Sequence, residues 1–269
     1  MSLFIALILG IVEGLTEYLP VSSTGHLVLV GHLFGLKGEG ADAFEIVIQL
    51  GAVLAVVVQY RQLLAERTRG LFSGSADSRR LLFALLSAFI PTAIVGFTLR
   101  HAIHDHLFGP KPVAAALIVG GVVMIVTERM RKAKGIVGLV GLEHVTPKRG
   151  FIIGIGQCFS LWPGSSRSMC TILAGQVAGL STATAAEFSF LLALPTLGAA
   201  TVYEGFKARH ALADGAIGSM SVAVGLVTSF LVAWAVIAAF IKYLQSRGLE
   251  PFGYYRIVLG VLVLWLLAR

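Results

Sequence analysis

Residues 2–35 read "SLFIALILGIVEGLTEYLPVSSTGHLVLVGHLFG". An apolar run is interrupted at its middle by acids, a proline, three hydroxyl residues, a glycine and a histidine, and then resumes. A straight bilayer helix satisfies its own backbone, and such a break does not. Irregular backbone at membrane depth is tolerated only where protein buries it or a wet cavity receives it. The stretch therefore predicts a re-entrant helix–loop–helix hairpin and not a single span.

The same pattern recurs at residues 151–180, "FIIGIGQCFSLWPGSSRSMCTILAGQVAGL". Setting Pro20 on Pro163 brings Ser22–Ser23 onto Ser165–Ser166 and Thr24 onto Arg167. "AFEIVIQLGA" (43–52) then falls close to "AEFSFLLALP" (186–195). Each half continues with two more apolar blocks. The chain reads as one integral membrane domain written twice, with repeats at about 1–134 and 148–269 joined by "KGIVGLVGLEHVTPKRG".

The composition agrees. Charged residues make up 13% of the chain and apolar ones 57%, against about 25% charged in soluble domains. Blocks 42–60, 81–99, 113–128, 184–203, 218–241 and 254–268 are long and nearly uncharged, as a spanning helix of roughly 17–25 residues requires. The expected fold is an all-α polytopic membrane protein: an inverted repeat of about six transmembrane helices plus two re-entrant hairpins. Continuous apolar runs argue against a transmembrane β-barrel, whose strands alternate. The apolar start is expected to belong to the mature chain, because it lacks a basic leader and a small-residue cleavage site.

The net charge of +7 sits in short loops and suggests no nucleic-acid partner. Arginines 61, 67, 69, 79 and 80, and the basic residues between 129 and 149, mark two stretches as cytoplasmic; 100–111 is poorer in basic residues. Block 43–60 then runs inward and block 184–203 outward. The halves are inverted, and the broken tips are expected to meet near the midplane, where such folds build their sites. Cys158 and Cys170 form no metal or redox motif. Glycines 96, 120, 121, 198 and 225 suit close packing.

The chemistry lies in the breaks. Glu13 and Glu17 share a helix face and suit a divalent cation, a shared proton, a basic partner or a solvated interface. Ser22, Ser23, Thr24 and His26 suit a nucleophile with a base, phosphate contacts, or a capped helix whose N-terminus attracts anions. "PGSSRSMCT" (163–171) surrounds Arg167 with Ser165, Ser166, Ser168 and Thr171. A guanidinium fork matches phosphate oxygens bidentately. Gln49 and Glu187 are supporting candidates, whereas His32, His101, His104, His106, His144 and His210 read as loop or interface residues.

"EGLTE" (13–17), "PVSSTGH" (20–26) and "PGSSRSMCT" together resemble the signature segments of the bacterial undecaprenyl-diphosphate phosphatase family, long called bacitracin-resistance proteins. The resemblance covers essentially the whole chain. It implies an inner-membrane enzyme that removes one phosphate from undecaprenyl diphosphate, with a site reached from the periplasm. The carrier lipid is thereby recycled for peptidoglycan synthesis. It further implies catalytic roles for Glu17, Ser23, His26 and Arg167, and a divalent cation, Mg2+ or Ca2+, on Glu13 and Glu17. Ser22, Thr24, Ser165, Ser166, Ser168 and Thr171 would contact phosphate, and apolar walls would take the prenyl tail. Which of Ser23, His26 or water is the nucleophile stays open, as does the oligomeric state. A transporter of a phosphorylated lipid or anion is the rival reading, because paired broken hairpins are also transporter architecture.

Overall fold

The computed structural model describes residues 1–36, 38–107, 109–207 and 218–267. His210 and the side chain of His104 fall outside this description. The described chain is helical, with one isolated bridge between Leu139 and Leu180. The helices are α1 (Leu3–Thr16), α2 (Ser23–Leu33), α3 (Glu39–Gln59), α4 (Arg61–Phe72), α5 (Ala76–Leu107), α6 (Pro110–Ala133), α7 (Pro147–Cys158), α8 (Arg167–Val177), α9 (Thr182–Lys207), α10 (Ser219–Leu244) and α11 (Glu250–Leu267).

Lengths sort these helices by role. The long apolar parts of α5, α6, α9 and α10 suffice to cross a membrane, and α3 does so if joined to α4, from which it bends by 70°. The 18 residues of α11 lie along α6. In contrast, α1, α2, α7 and α8 have 14, 11, 12 and 11 residues. At about 1.5 Å per residue they reach roughly half of a 30 Å hydrocarbon core. Both interrupted stretches are thus hairpins of half-length helices.

The two halves exchange packing partners. Gly10 and Gly14 of α1 lie against the α10 backbone at Gly225 and Ser229, and Gly150 and Gly154 of α7 lie against Ala84 and Ala88 of α5. A Cβ on Gly10 would come 2.7 Å from the Gly225 oxygen; one on Gly154 would come 2.5 Å from the Ala88 oxygen. Both pairs run parallel. The central pairs run antiparallel: Gln49 of α3 meets Thr201 of α9, and Gly120 and Gly121 of α6 meet Arg256 and Gly253 of α11. Antiparallel pairing of corresponding helices is what an inverted repeat demands.

Local details depart from the sequence reading. Residues 61–72, read as part of a loop, form α4. The linker docks through Arg131 and Arg149, which donate to carbonyls of Gln176, Leu180, Ala178 and His144. Among the described residues, no atom beyond its own turn of helix lies within 4 Å of a Cβ built on Gly198, so close packing does not explain that glycine. The expected register also shifts by one residue. Ser22 and Ser166 are the non-glycine residues with positive φ, at 73° and 70°, among the described residues. Each is an N-cap: the Ser22 hydroxyl accepts from Gly25 N and the Ser166 hydroxyl from Met169 N, both at 3.3 Å. Their offset of 144 residues also carries Leu3 to Pro147 and Ser23 to Arg167, the first residues of matching helices. Ser23, and not Thr24, is therefore the counterpart of Arg167. Proline is set by its own fixed φ, and neighbouring loop positions accommodate it equally well.

Candidate active site

The hairpin tips meet around Glu17. Glu17 follows α1 and is almost fully buried. Its Oε2 accepts from the Ser23 hydroxyl at 2.7 Å, and its Oε1 accepts from Arg167 Nη2 at 3.0 Å. One carboxylate thus bridges the two corresponding N1 residues of α2 and α8. Arg167 is held from the other side. Its Nη1 donates to the Ser189 carbonyl at 2.9 Å and to the Ser189 hydroxyl at 3.3 Å. Its guanidinium lies over Tyr18, 5.6 Å from the ring centroid, and the Tyr18 hydroxyl donates to the Ala52 carbonyl. The arginine is therefore fixed in its plane, as bidentate recognition of an oxyanion requires.

A cavity of about 260 Å³ opens beside this bridge. Its polar lining includes Glu17, Ser22, Ser23, Thr24, Ser166 and Arg167 from the tips, with Gln49, Thr92, Gln157, Ser160 and Thr196 around them. Leu161, Pro163, Leu197 and Ala200 supply an apolar side. Both loops lead into helix N-termini, whose free N–H groups and dipoles favour anions. In the second loop the chain reverses at Gly164, with φ of 95° and the Val113 backbone so close that a Cβ would come 2.5 Å from its oxygen. A shallower crevice of about 830 Å³ between α4 and α5, lined by Arg61, Glu66, Arg69 and Ser78 among others, shares no residue with this cavity.

Five expected site residues, Glu13, His26, Ser165, Ser168 and Thr171, do not line the cavity. Ser165 is buried in the turn, where its amide donates to the Trp162 carbonyl. Ser168 donates to the Leu19 carbonyl at 2.8 Å and so ties one hairpin to the other. Thr171 donates to the Arg167 carbonyl and lies 2.6 Å from the Ser189 hydroxyl, beneath the arginine. His26 faces α11. Its Nδ1 is 2.7 Å from the Ser22 carbonyl, which only accepts, so this nitrogen carries the proton. Nε2 then accepts from the Tyr255 hydroxyl at 2.6 Å. With both ring nitrogens engaged, His26 braces the Ser22 loop in this arrangement. Of the supporting candidates, Gln49 lines the cavity, whereas Glu187 has Tyr60 and Glu143 as electrostatic neighbours.

Glu13 lies one turn behind Glu17, 1% exposed, and its Oε1 is buried without a hydrogen-bond partner. Glu17, Glu45 and Arg167 surround it electrostatically. An orphaned carboxylate oxygen beside a second carboxylate fits a hard cation. Among the described residues no group of three or more His, Cys, Asp or Glu has a metal-binding arrangement. The remaining ligands would have to be phosphate oxygens and water, as Mg2+ often prefers.

Reading the sequence alone missed Tyr18, Glu45, Gln157, Ser189, Tyr255 and Arg256. Two of these carried a signal. Arg256 is a charge inside the apolar block 254–268, as anomalous as Arg167, and Gln157 is an amide in a broken apolar run. Ser189 looks like any helix serine until α9 packs on α8.

Residues 6–262 match the family described as Bacitracin resistance protein BacA. The chain belongs to this family. It is 57% identical over 263 residues to the undecaprenyl-diphosphatase of Sorangium cellulosum, covering 98% of this chain and 86% of that one. It is 46% identical to the undecaprenyl-diphosphatase of Thermoanaerobacter pseudethanolicus, over 98% and 96% of the two chains. That of Ectopseudomonas mendocina is 45% identical over 97% of this chain and 92% of its own.

Proposed function

We propose that this protein is a membrane undecaprenyl-diphosphatase, hydrolysing undecaprenyl diphosphate to undecaprenyl phosphate and inorganic phosphate. This returns the carrier lipid to peptidoglycan synthesis and confers bacitracin resistance. The observation that carries the reading is the Ser23–Glu17–Arg167 bridge at the cavity. It sets a hydroxyl, a proton acceptor and an anion-binding fork side by side. The names of the relatives favour hydrolysis over transport.

In the proposed reaction the diphosphate displaces Glu17 from the Arg167 fork. Arg167 then holds the terminal phosphoryl oxygens and stabilises the charge they gain in the transition state. Ser23 Oγ attacks the terminal phosphorus as Glu17 Oε2 takes its proton. The bond to the bridging oxygen breaks, and undecaprenyl phosphate leaves. Water then attacks the phosphoserine, and Ser23 recovers its proton from Glu17 as phosphate departs. Ser22, Thr24, Ser166 and the helix N-termini hold phosphate oxygens, while Leu161, Leu197 and Ala200 receive the first prenyl units. A Mg2+ or Ca2+ ion on Glu13 and Glu17 would neutralise diphosphate charge.

The purified protein with a divalent cation should release phosphate from undecaprenyl diphosphate, and a chelator should stop it. Rapid acid quenching with substrate labelled in the terminal phosphate should trap label on the protein, and Ser23→Ala should abolish it. No phosphate release from a folded, cation-supplied protein would sink the activity; release without trapped label would point to direct attack by water.

We further propose that the site faces the periplasm from the bacterial inner membrane. Thr92 lies in the half of α5 remote from Arg79 and Arg80, and Thr196 and Ala200 lie in the half of α9 remote from the end on which the basic linker docks through Leu139 and Gly141; basic loops stay cytoplasmic. An impermeant thiol reagent should label Thr24→Cys from outside, in a protein with Cys158 and Cys170 replaced. Labelling only from the cytoplasm reverses the topology.

A further inference from the structure

Arg256 lies in the middle of α11 and is completely buried. No carboxylate pairs with it among the described residues. Its guanidinium instead donates to three carbonyls: Nη1 to Pro20 at 3.3 Å, and Nη2 to Gly164 at 3.0 Å and to Ala116 at 3.1 Å. Nε is buried without a partner. Pro20 and Gly164 are 144 residues apart, the same offset that relates Ser22 to Ser166 and Ser23 to Arg167. A single side chain therefore grips the same carbonyl in both loops, two residues ahead of each N-cap serine.

The surrounding helices make room for this. Gly120 of α6 faces the guanidinium, and a Cβ there would overlap Nη2 and come 2.8 Å from Met169 Sδ. A lone cation inside an apolar helix is costly and usually functional. An apolar residue would fill the same space without that cost, but it would leave two loop carbonyls without a donor and the tips without a shared anchor. Other ties between the tips are the Glu17–Arg167 pair, which substrate has to open, the Arg167 guanidinium over Tyr18, and the Ser168–Leu19 hydrogen bond. When a phosphate takes Arg167, the Arg256 tie stays closed along with the Ser168–Leu19 hydrogen bond, and it alone of the two holds both loop carbonyls from one side chain.

We propose that Arg256 is a positioning residue that sets the separation of the two hairpin tips, and so the placement of Arg167 against Ser23 and Glu17 during turnover. This rests on the reading above that both hairpins act on one diphosphate. Arg256 acts through the loops and contacts no reacting atom.

The test uses the full-length protein and undecaprenyl diphosphate. Arg256→Met should lower kcat by about 100-fold, the effect of a misplacement of about 1 Å, with KM changed far less. Arg256→Lys keeps the charge but cannot span three carbonyls, and should be nearly as slow. Combined with Arg167→Lys, Arg256→Met should add little further loss, because both act on one arrangement. Wild-type kcat in Arg256→Lys, or fully additive losses, would overturn the proposal. If Arg256→Met fails to fold, Gly120→Ala displaces the guanidinium without removing it; a kcat lowered about tenfold is expected there, and an unchanged one overturns the proposal. A second arm needs no activity. With Cys158 and Cys170 replaced, Ser23→Cys and Arg167→Cys should be joined by a short bifunctional thiol reagent, and Arg256→Met should suppress that crosslink. An unchanged crosslink refutes the positioning role, whereas an inactive unmutated protein counts against the phosphatase reading alone.

Discussion

The α1–α2 and α7–α8 hairpins share a backbone and divide the chemistry. At the 144-residue offset Glu13 corresponds to Gln157, Glu17 to Leu161, Ser23 to Arg167, and His26 to Cys170. Both tips keep a serine N-cap at φ near 70°, and both are gripped by Arg256. The first copy holds the acids and the Ser23 hydroxyl, and the second holds the Arg167 guanidinium. Neither is a site alone. The two tips share a capped helix start and differ in the side chains they carry.

The division breaks most severely at Arg167. Arg167→Lys keeps a charge but loses the planar fork between Glu17 and Ser189, so kcat/KM should fall by at least about 100-fold, as when one oxyanion donor is lost. Near-normal phosphate release by this variant would reduce Arg167 to a topology anchor. The acidic copy is tested next. Glu13→Gln gives the first hairpin the residue of the second and should raise the half-saturating Mg2+ or Ca2+ concentration about 10- to 100-fold. Gln157→Glu, the reverse exchange, should leave cation dependence near wild type. If the two exchanges act equally, the copies are not divided as proposed.

The smallest effects should fall on what the copies share. Ser22→Ala and Ser166→Ala each lose a cap while keeping a left-handed backbone, and should cost about 1–2 kcal/mol. Glycine adopts that conformation freely, so Ser22→Gly and Ser166→Gly should cost only a few tenths of a kcal/mol. Thermal unfolding in detergent measures both. Ser166→Ala should be the worse of the alanine variants, because Ser166 also hydrogen-bonds Ser168, which ties the hairpins together. Alanine and glycine variants of equal stability would remove the argument from backbone conformation.

Much of this was legible in the residues. The breaks at Pro20 and Pro163 gave the hairpins, and the hydroxyl residues beside Glu17 and Arg167 marked the two tips as parts of one site. The one-residue register error arose because the prolines were aligned, whereas the constraint the two halves share is the left-handed serine, which no residue type announces. His26 read as chemistry because a histidine among hydroxyls suits a base, yet Tyr255, 229 residues away, takes its free nitrogen. Ser168 and Thr171 read as phosphate ligands because hydroxyls at a helix start suit that role, yet they turn inward on Leu19, Arg167 and Ser189.

What the sequence determined by itself was the class of fold, its duplication, and which residue types meet at the tips, because apolar length and helix-breaking residues act locally. What only the tertiary structure decided was which hydroxyls face the cavity, that one carboxylate joins the two copies, and that Arg256 holds both loops. Those outcomes depend on how α6, α9 and α11 pack around the tips, and a partner over a hundred residues away leaves no mark on local sequence.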